Sequence, residues 1–190
     1  GVTTFFLDHD IDTGRIMQKE FPIPDNADVE YVYDGLMALG ADICIETVDA
    51  VINNDGNVPS QPQREDLPLK SAPKLFKETC LINWNKEAKQ VYDFVRGLSP
   101  VPGAWCEIVH NDEKPVVMKI FRTAKTDKPL TAKDQPGDIC AEGQHLLIAA
   151  ADKWLEIVEL QLAGKKRMMA KDFLNGYDIK GKRVFMNFEF

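Results

Sequence analysis

The spacing of apolar residues changes twice along this chain. Residues 2–7 and 15–21 alternate as two short strands on either side of a polar, acidic loop at 8–14. Pro22 and Pro24 end the second strand, because proline has no N–H to give a ladder. Asp28 then suits a helix N-cap, and Val29, Val32, Leu36, Ile43, Val48, Val51 and Ile52 keep near-helical spacing to about residue 53. Gly35 and Gly40 inside that stretch predict either a weak helix or close packing against it. Residues 54–73 lose all periodicity. The run Asn53-Asn54-Asp55-Gly56-Asn57 and four prolines have the composition of a linker.

A second helical stretch carries Ala88, Val91, Tyr92, Val95 and Leu98 on one face, with Asn85 as its predicted cap. Gly97 and Ser99-Pro100-Val101-Pro102-Gly103 close it. The period then drops to two. Residues 104–109, 115–123, 138–141, 146–151 and 154–162 read as strands joined by short turns. Five short strands after a helix predict a small barrel of the OB type. A helical turn at 170–175 stops at Gly176, and 183–190 reads as a strand-like tail. No internal repeat is visible.

With 190 residues, 44% hydrophobic and 28% charged, the chain has the size of one large or two small globular domains. No apolar run reaches the roughly 20 residues of a membrane span, and no leader pattern opens the chain. The first strand starts almost at Gly1, so the chain is expected to be the rear part of a longer one. The net charge of −7 is uneven: residues 1–70 hold 14 acidic and 4 basic side chains, residues 71–190 hold 16 and 19. The change of sign predicts two domains, the second facing a polyanion. Cys44, Cys80, Cys106 and Cys140 are 36, 26 and 34 residues apart, with no metal or disulfide spacing. Four reduced, mostly buried thiols are expected. Trp84, Trp105 and Trp154 are expected to be core residues rather than base-stacking ones.

The acidic loop Asp8-His9-Asp10-Ile11-Asp12-Thr13-Gly14 has the most chemical look. Alternating Asp residues suggest calcium, but an EF-hand loop needs Gly at position six and Glu at twelve, where this chain has Thr13 and Lys19. Asp-Thr-Gly suggests an aspartic protease, but Arg15 stands where a small residue belongs and no second copy occurs. The plain alternative is a hairpin loop whose Asp and Gly serve turn geometry.

Four ordered segments go further. The stretch Gly1-Val2-Thr3-Thr4-Phe5-Phe6-Leu7-Asp8-His9-Asp10-Ile11-Asp12-Thr13-Gly14 resembles the folate loop of the methionyl-tRNA formyltransferase family. Ala72-Pro73-Lys74-Leu75-Phe76-Lys77-Glu78, followed by Ile82-Asn83-Trp84-Asn85, resembles that family's linker and the start of its C-terminal domain. Val95-Arg96-Gly97-Leu98-Ser99-Pro100, with Trp105 after it, and Leu160-Gln161-Leu162-Ala163-Gly164-Lys165-Lys166-Arg167-Met168, with Lys171-Asp172-Phe173-Leu174, match two later signatures.

The resemblance implies an α/β unit followed by a β unit. Residues 1–56 would be the tail of a Rossmann-like formyltransferase domain, 57–78 a linker, and 79–190 an OB-like β-barrel domain that binds tRNA. The implied activity is transfer of a formyl group from 10-formyltetrahydrofolate to the amino group of methionyl initiator tRNA in translation initiation. The implied enzyme is a cytoplasmic monomer without a metal. Asp12 matches the family's catalytic Asp. Asp8, His9, Asp10, Ile11 and Gly14 are the implied folate contacts. Lys74, Lys77, Lys165, Lys166 and Arg167 are the implied tRNA contacts. The family's catalytic Asn and His precede this region, so the chain alone is expected to be inactive. A formyltransferase acting on a sugar amine or other small amine, and a non-enzymatic RNA-binding module, remain the competing readings.

Overall fold

A computed structural model of the chain describes residues 1–10, 13–63, 68, 70–110 and 114–185. It divides into two compact units, Gly1–Lys74 and Leu75–Phe190.

In the first unit, β1 (Val2–Phe5) and β2 (Ile16–Lys19) pair antiparallel, Val2 opposite Lys19 and Phe5 opposite Ile16. Helix α1 (Val29–Asn53) packs on both strands. The Asp28 carboxylate accepts from the Tyr31 N–H and satisfies one of the open donors of the first turn, as predicted. A Cβ on Gly35 would lie 2.0 Å from the Phe21 ring, so the glycine marks close packing rather than a weak helix. The two-stranded sheet is too narrow to cover a helix of 25 residues. Ile43 is buried, whereas Val48 and Ile52, expected on the same apolar face, are exposed.

In the second unit, Glu78–Cys80 form a short 3-10 turn and α2 spans Ala88–Leu98. Asn85 does not cap this helix. Glu87 does, through a reciprocal box with Gln90, and Asp152 accepts from the Ala88 N–H at 2.6 Å. Asn85 instead donates its own N–H to the Asn83 side chain in a preceding turn. The Ala88, Val91, Val95, Leu98 face is buried as predicted.

The strands are β3 (Ala104–His110), β4 (Val116–Pro129), β5 (Ile139–Glu142), β6 (His145–Ala149), β7 (Lys153–Leu162), β8 (Met168–Met169) and β9 (Lys182–Val184), with α3 (Ala170–Gly176) before the last. Their order is β5-β6-β7-β4-β3-β9, antiparallel throughout, with β8 added to β7. Val184 donates to the Gly137 carbonyl at 2.8 Å, and Arg183 bridges Asp138, so β9 reaches back to the start of β5 and nearly closes the sheet. At 14 residues, β4 runs past the predicted end at 123. Its polar second half still pairs with β7, and register shifts along it let one strand bend around the barrel. The tail predicted at 183–190 is strand only through Val184, and 186–190 lie outside the described residues.

The core inside this sheet holds Trp84, Ile82, Val91, Val95, Met118, Ile120, Leu146, Ile148, Leu155, Ile157 and Leu160. Trp154 is buried as expected, but Trp105 is only half-buried. Among the cysteines, Cys80 and Cys106 are buried, Cys140 is half-buried, and Cys44 is exposed on α1, so burial of the thiols is less general than expected.

Candidate functional site

The loop between β1 and β2 is closed by backbone pairing and by two side chains from further along the chain. The Phe6 N–H donates to the Arg15 carbonyl at 3.0 Å. A Cβ on Gly14 would lie 1.6 Å from the Phe6 carbonyl oxygen, so no larger residue fits there. Gln63 donates to the Gly14 carbonyl at 3.0 Å, and Arg15 donates to the Ser60 hydroxyl at 2.9 Å and to the Ser60 carbonyl. Ile16 and Gln61 exchange backbone bonds of 2.8 and 3.0 Å. Segment 60–63 thus acts as a short third rail beside β2. It explains Arg15, the residue that fits a protease motif badly.

Asp8, His9 and Asp10 are exposed at the loop tip. Asp8 accepts from the His9 N–H at 2.8 Å, and the Thr13 hydroxyl donates to the Asp10 carbonyl at 3.0 Å. These are local turn bonds of the kind Asp and Thr make. Ile11 and Asp12, the expected folate contact and catalytic carboxylate, lie outside the described residues. Among the described residues, no group of three or more His, Cys, Asp or Glu side chains could hold a metal. No described helix is long and apolar enough to cross a membrane.

In the second unit, Lys165, Lys166 and Arg167 are exposed on the turn between β7 and β8, and Lys77 is exposed before the 3-10 turn. Gly164 supplies the positive φ of +75° that the turn needs. Lys74, also exposed, belongs to the first unit. Arg167 is not a simple solvated cation: its guanidinium forks onto Glu159 at 2.7 and 2.8 Å and lies 4.2 Å from the Phe121 ring centroid. Its hydrogen bonds hold the Glu159 carboxyl below the usual carboxylate range.

A row of side chains across the sheet joins Lys77 to this turn. The Lys77 ammonium sits 5.5 Å from the Trp105 ring centroid, and the Trp105 Nε1–H donates to the Lys77 carbonyl at 2.8 Å. Trp105 is the cross-strand partner of Lys119, and Lys119 is that of Gln161. Gln161 donates to the Lys165 carbonyl at 2.8 Å, and Arg122 lies opposite Glu159. Trp105, expected in the core, is half-buried in this row, beside Lys119 and Arg122, which no motif singles out. Alternation along 115–123 turns Lys119 outward, but its neighbours depend on strand pairing, which no local pattern encodes.

Comparison with known proteins places this geometry. The model of "Formyl transferase, C-terminal domain" matches residues 74–178. The methionyl-tRNA formyltransferase of Bacteroides fragilis is 47% identical over 184 residues, covering 94% of this chain and 56% of that protein. That of Phocaeicola vulgatus is 48% identical over 183 residues, covering 93% and 55%. The chain therefore spans about half the length of the curated relatives it matches. Among solved structures, HypX from Aquifex aeolicus in complex with tetrahydrofolic acid matches 93% of this chain and 30% of its own, with a TM-score of 0.56 and 19% identity, a likeness of fold. With more than half of its residues under the family model, the chain belongs to the formyl transferase family and carries that family's C-terminal domain.

Proposed function

We propose that this chain is the C-terminal part of an enzyme that moves a formyl group from 10-formyltetrahydrofolate to the amino group of methionine on initiator tRNA. One observation carries the reading: relatives named methionyl-tRNA formyltransferase align over 93–94% of the chain, through both of its units. A formyltransferase for a sugar amine or another small amine has no use for a basic turn on a barrel, and an RNA-binding module alone leaves the acidic loop unexplained.

In this reading, residues 1–56 close a Rossmann-like catalytic domain, 57–78 link, and 79–190 form an OB-like domain for tRNA. The split after Lys74, inside that linker, supports the division. The enzyme works as a cytoplasmic monomer.

The chemistry is an acyl transfer. The neutral amine attacks the formyl carbon, an oxyanion develops, and the bond to the folate nitrogen breaks as that nitrogen takes a proton and the amine loses one. Donors at the oxyanion lower the barrier, each worth roughly 100- to 1,000-fold. Asp12 is the carboxylate that takes or relays the proton of the amine and favours the charged form of a neighbouring histidine. Asp8, His9, Asp10, Ile11 and Gly14 line the pterin. The turn-closing bonds at Phe6, Gly14 and Arg15 and the exposure of Asp8, His9 and Asp10 support that role, because exposed loop amides and carbonyls can offer a row of donors and acceptors. Lys74, Lys77, Lys165, Lys166 and Arg167 contact tRNA phosphates.

The test is formyl transfer by the full-length enzyme to methionyl initiator tRNA, compared with amino sugars and free amines. Asp12→Asn is expected to cut turnover by orders of magnitude with folding kept, and near-normal turnover sinks the assignment. Charge reversal at Lys165, Lys166 and Arg167 is expected to weaken tRNA binding and flatten its salt dependence. Unchanged binding and slope would remove them from the interface.

A further inference from the structure

We propose that the pocket formed by Leu75, Phe76, Trp105 and Lys119 seats one unstacked nucleotide of an RNA strand, its base inside and its phosphate at the rim. The proposal rests on the tRNA-binding reading of this unit and names what one part of its surface holds.

The cavity has a volume of about 460 Å³. Its walls are the side chains of Leu75, Phe76, Val117 and Trp105, with Lys77 and Lys119 beside them. Leu75 and Phe76 are 58% and 55% exposed and present apolar surface to the cavity. The Trp105 ring is partly buried against the core and fixed by its Nε1–H bond to the Lys77 carbonyl, with the Lys77 ammonium 5.5 Å from its centroid, so a base stacks on it by displacing that ammonium toward the phosphate. The Lys119 ammonium rests on the Pro102 carbonyl at 3.2 Å, and that of Lys77 on the Trp105 ring. Both cations thus stay close to the pocket.

An aromatic, apolar lining with two cations beside it matches a nucleotide: a base has a π face to stack, and its phosphate carries the opposite charge. A duplex hides its base faces, so the occupant is single-stranded or splayed out. An apolar peptide could fill the space but gives the two lysines nothing to pair with. The row Trp105, Lys119, Gln161 runs from this pocket to the Lys165 turn, so a strand seated here continues along one basic surface.

The 190-residue chain is titrated with initiator tRNA and, separately, with a single-stranded hexauridylate, following tryptophan emission. Trp84 and Trp154 are buried, so Trp105 reports on the pocket. Hexauridylate is expected to quench emission, and Trp105→Phe to abolish that response. Phe76→Ala, at an exposed position, is expected to weaken both ligands about 5- to 150-fold, the range of one lost base stack. Lys119→Ala is expected to lower the salt slope for the oligonucleotide by about 0.7, which keeps the test independent of whether Phe76→Ala folds. If tRNA binds while hexauridylate leaves emission unmoved and neither variant changes affinity, the pocket proposal is overturned and the tRNA reading stands. If an acidic apolar peptide fills the pocket and the oligonucleotide does not, the site is a protein-docking one and the proposal fails. If neither this chain nor the full-length enzyme binds tRNA at any salt concentration, both readings fall together.

Discussion

Arg167 grips Glu159 with two parallel bonds, Nε to Oε1 at 2.7 Å and Nη2 to Oε2 at 2.8 Å, and so ties the turn after β7 back onto β7 itself. The planar fork, not the charge alone, makes this contact, and lysine cannot reproduce it. Because Arg167 lowers the folded-state pKa of Glu159, the pair contributes stability that is present above the ordinary carboxylate pKa near 4.3 and is lost as pH falls through the folded value. Arg167→Lys keeps the net charge but is expected to shift acid unfolding to higher pH. Its cost at neutral pH should stay under about 1 kcal/mol, since Arg167 is partly exposed. Acid titration followed by circular dichroism checks this; a curve matching the wild type contradicts it.

His145 and Glu156 make a further pair, this one between strands, Nδ1 to Oε1 at 2.7 Å from β6 to β7. The hydrogen bond to Glu156 raises the His145 pKa above its ordinary value. The sign is opposite to that of Glu159: the stabilisation is complete below about pH 6.5 and fades as pH rises through the folded pKa. NMR titration of the imidazole should show a midpoint above that of a free histidine. In Glu156→Gln the midpoint should fall, and an unchanged midpoint would assign the shift to another group.

The four thiols should react in an order set by burial and pKa. Cys44 is exposed, whereas burial pushes the Cys106 thiol up to about 12 and raises that of Cys140 as well. The thiolate is the reactive form, so near pH 8 Cys44 should be alkylated first and Cys140 slowly. Cys80 and Cys106 should react only after unfolding. Mass spectrometry of iodoacetamide-treated protein over time gives the order, and early labelling of Cys106 would contradict the buried placement.

Some single-residue signals carry into the structure and others, such as Asn85, do not. Asp28 caps α1, Gly35 marks the contact with Phe21, and the change to period two at Ala104 locates the first strand of the large sheet. Nonlocal decisions were not legible. The Glu87–Gln90 box that caps α2 is itself local, and only its support from Asp152, which depends on the chain folding back to the helix, is nonlocal. The polar second half of β4 became strand because β7 offered a partner, not because its own pattern demanded it. The same limit governs the candidate site. The basic turn was visible as Lys165-Lys166-Arg167, but only pairing across β3, β4 and β7 reveals that Trp105 and Lys119 share its surface.

The contact where β5, β6 and β7 meet should contribute strongly to the stability of the second unit. Ile148 is fully buried on β6, with Ile139 opposite on β5 and Leu155 opposite on β7. Truncating Ile148 to alanine removes three carbons from a packed site that backbone pairing on both sides prevents from collapsing. The expected cost is about 2–5 kcal/mol. Ile139 is only half-buried, so Ile139→Ala should cost clearly less. Ile148 and Leu155 share one contact, so their double truncation should deviate from the sum of the single effects by about 0.5–3 kcal/mol. Urea unfolding of the wild type, the three single variants and the double variant measures all three effects. Equal losses at Ile148 and Ile139, or simple additivity of Ile148 with Leu155, would place the centre of the core elsewhere in the barrel.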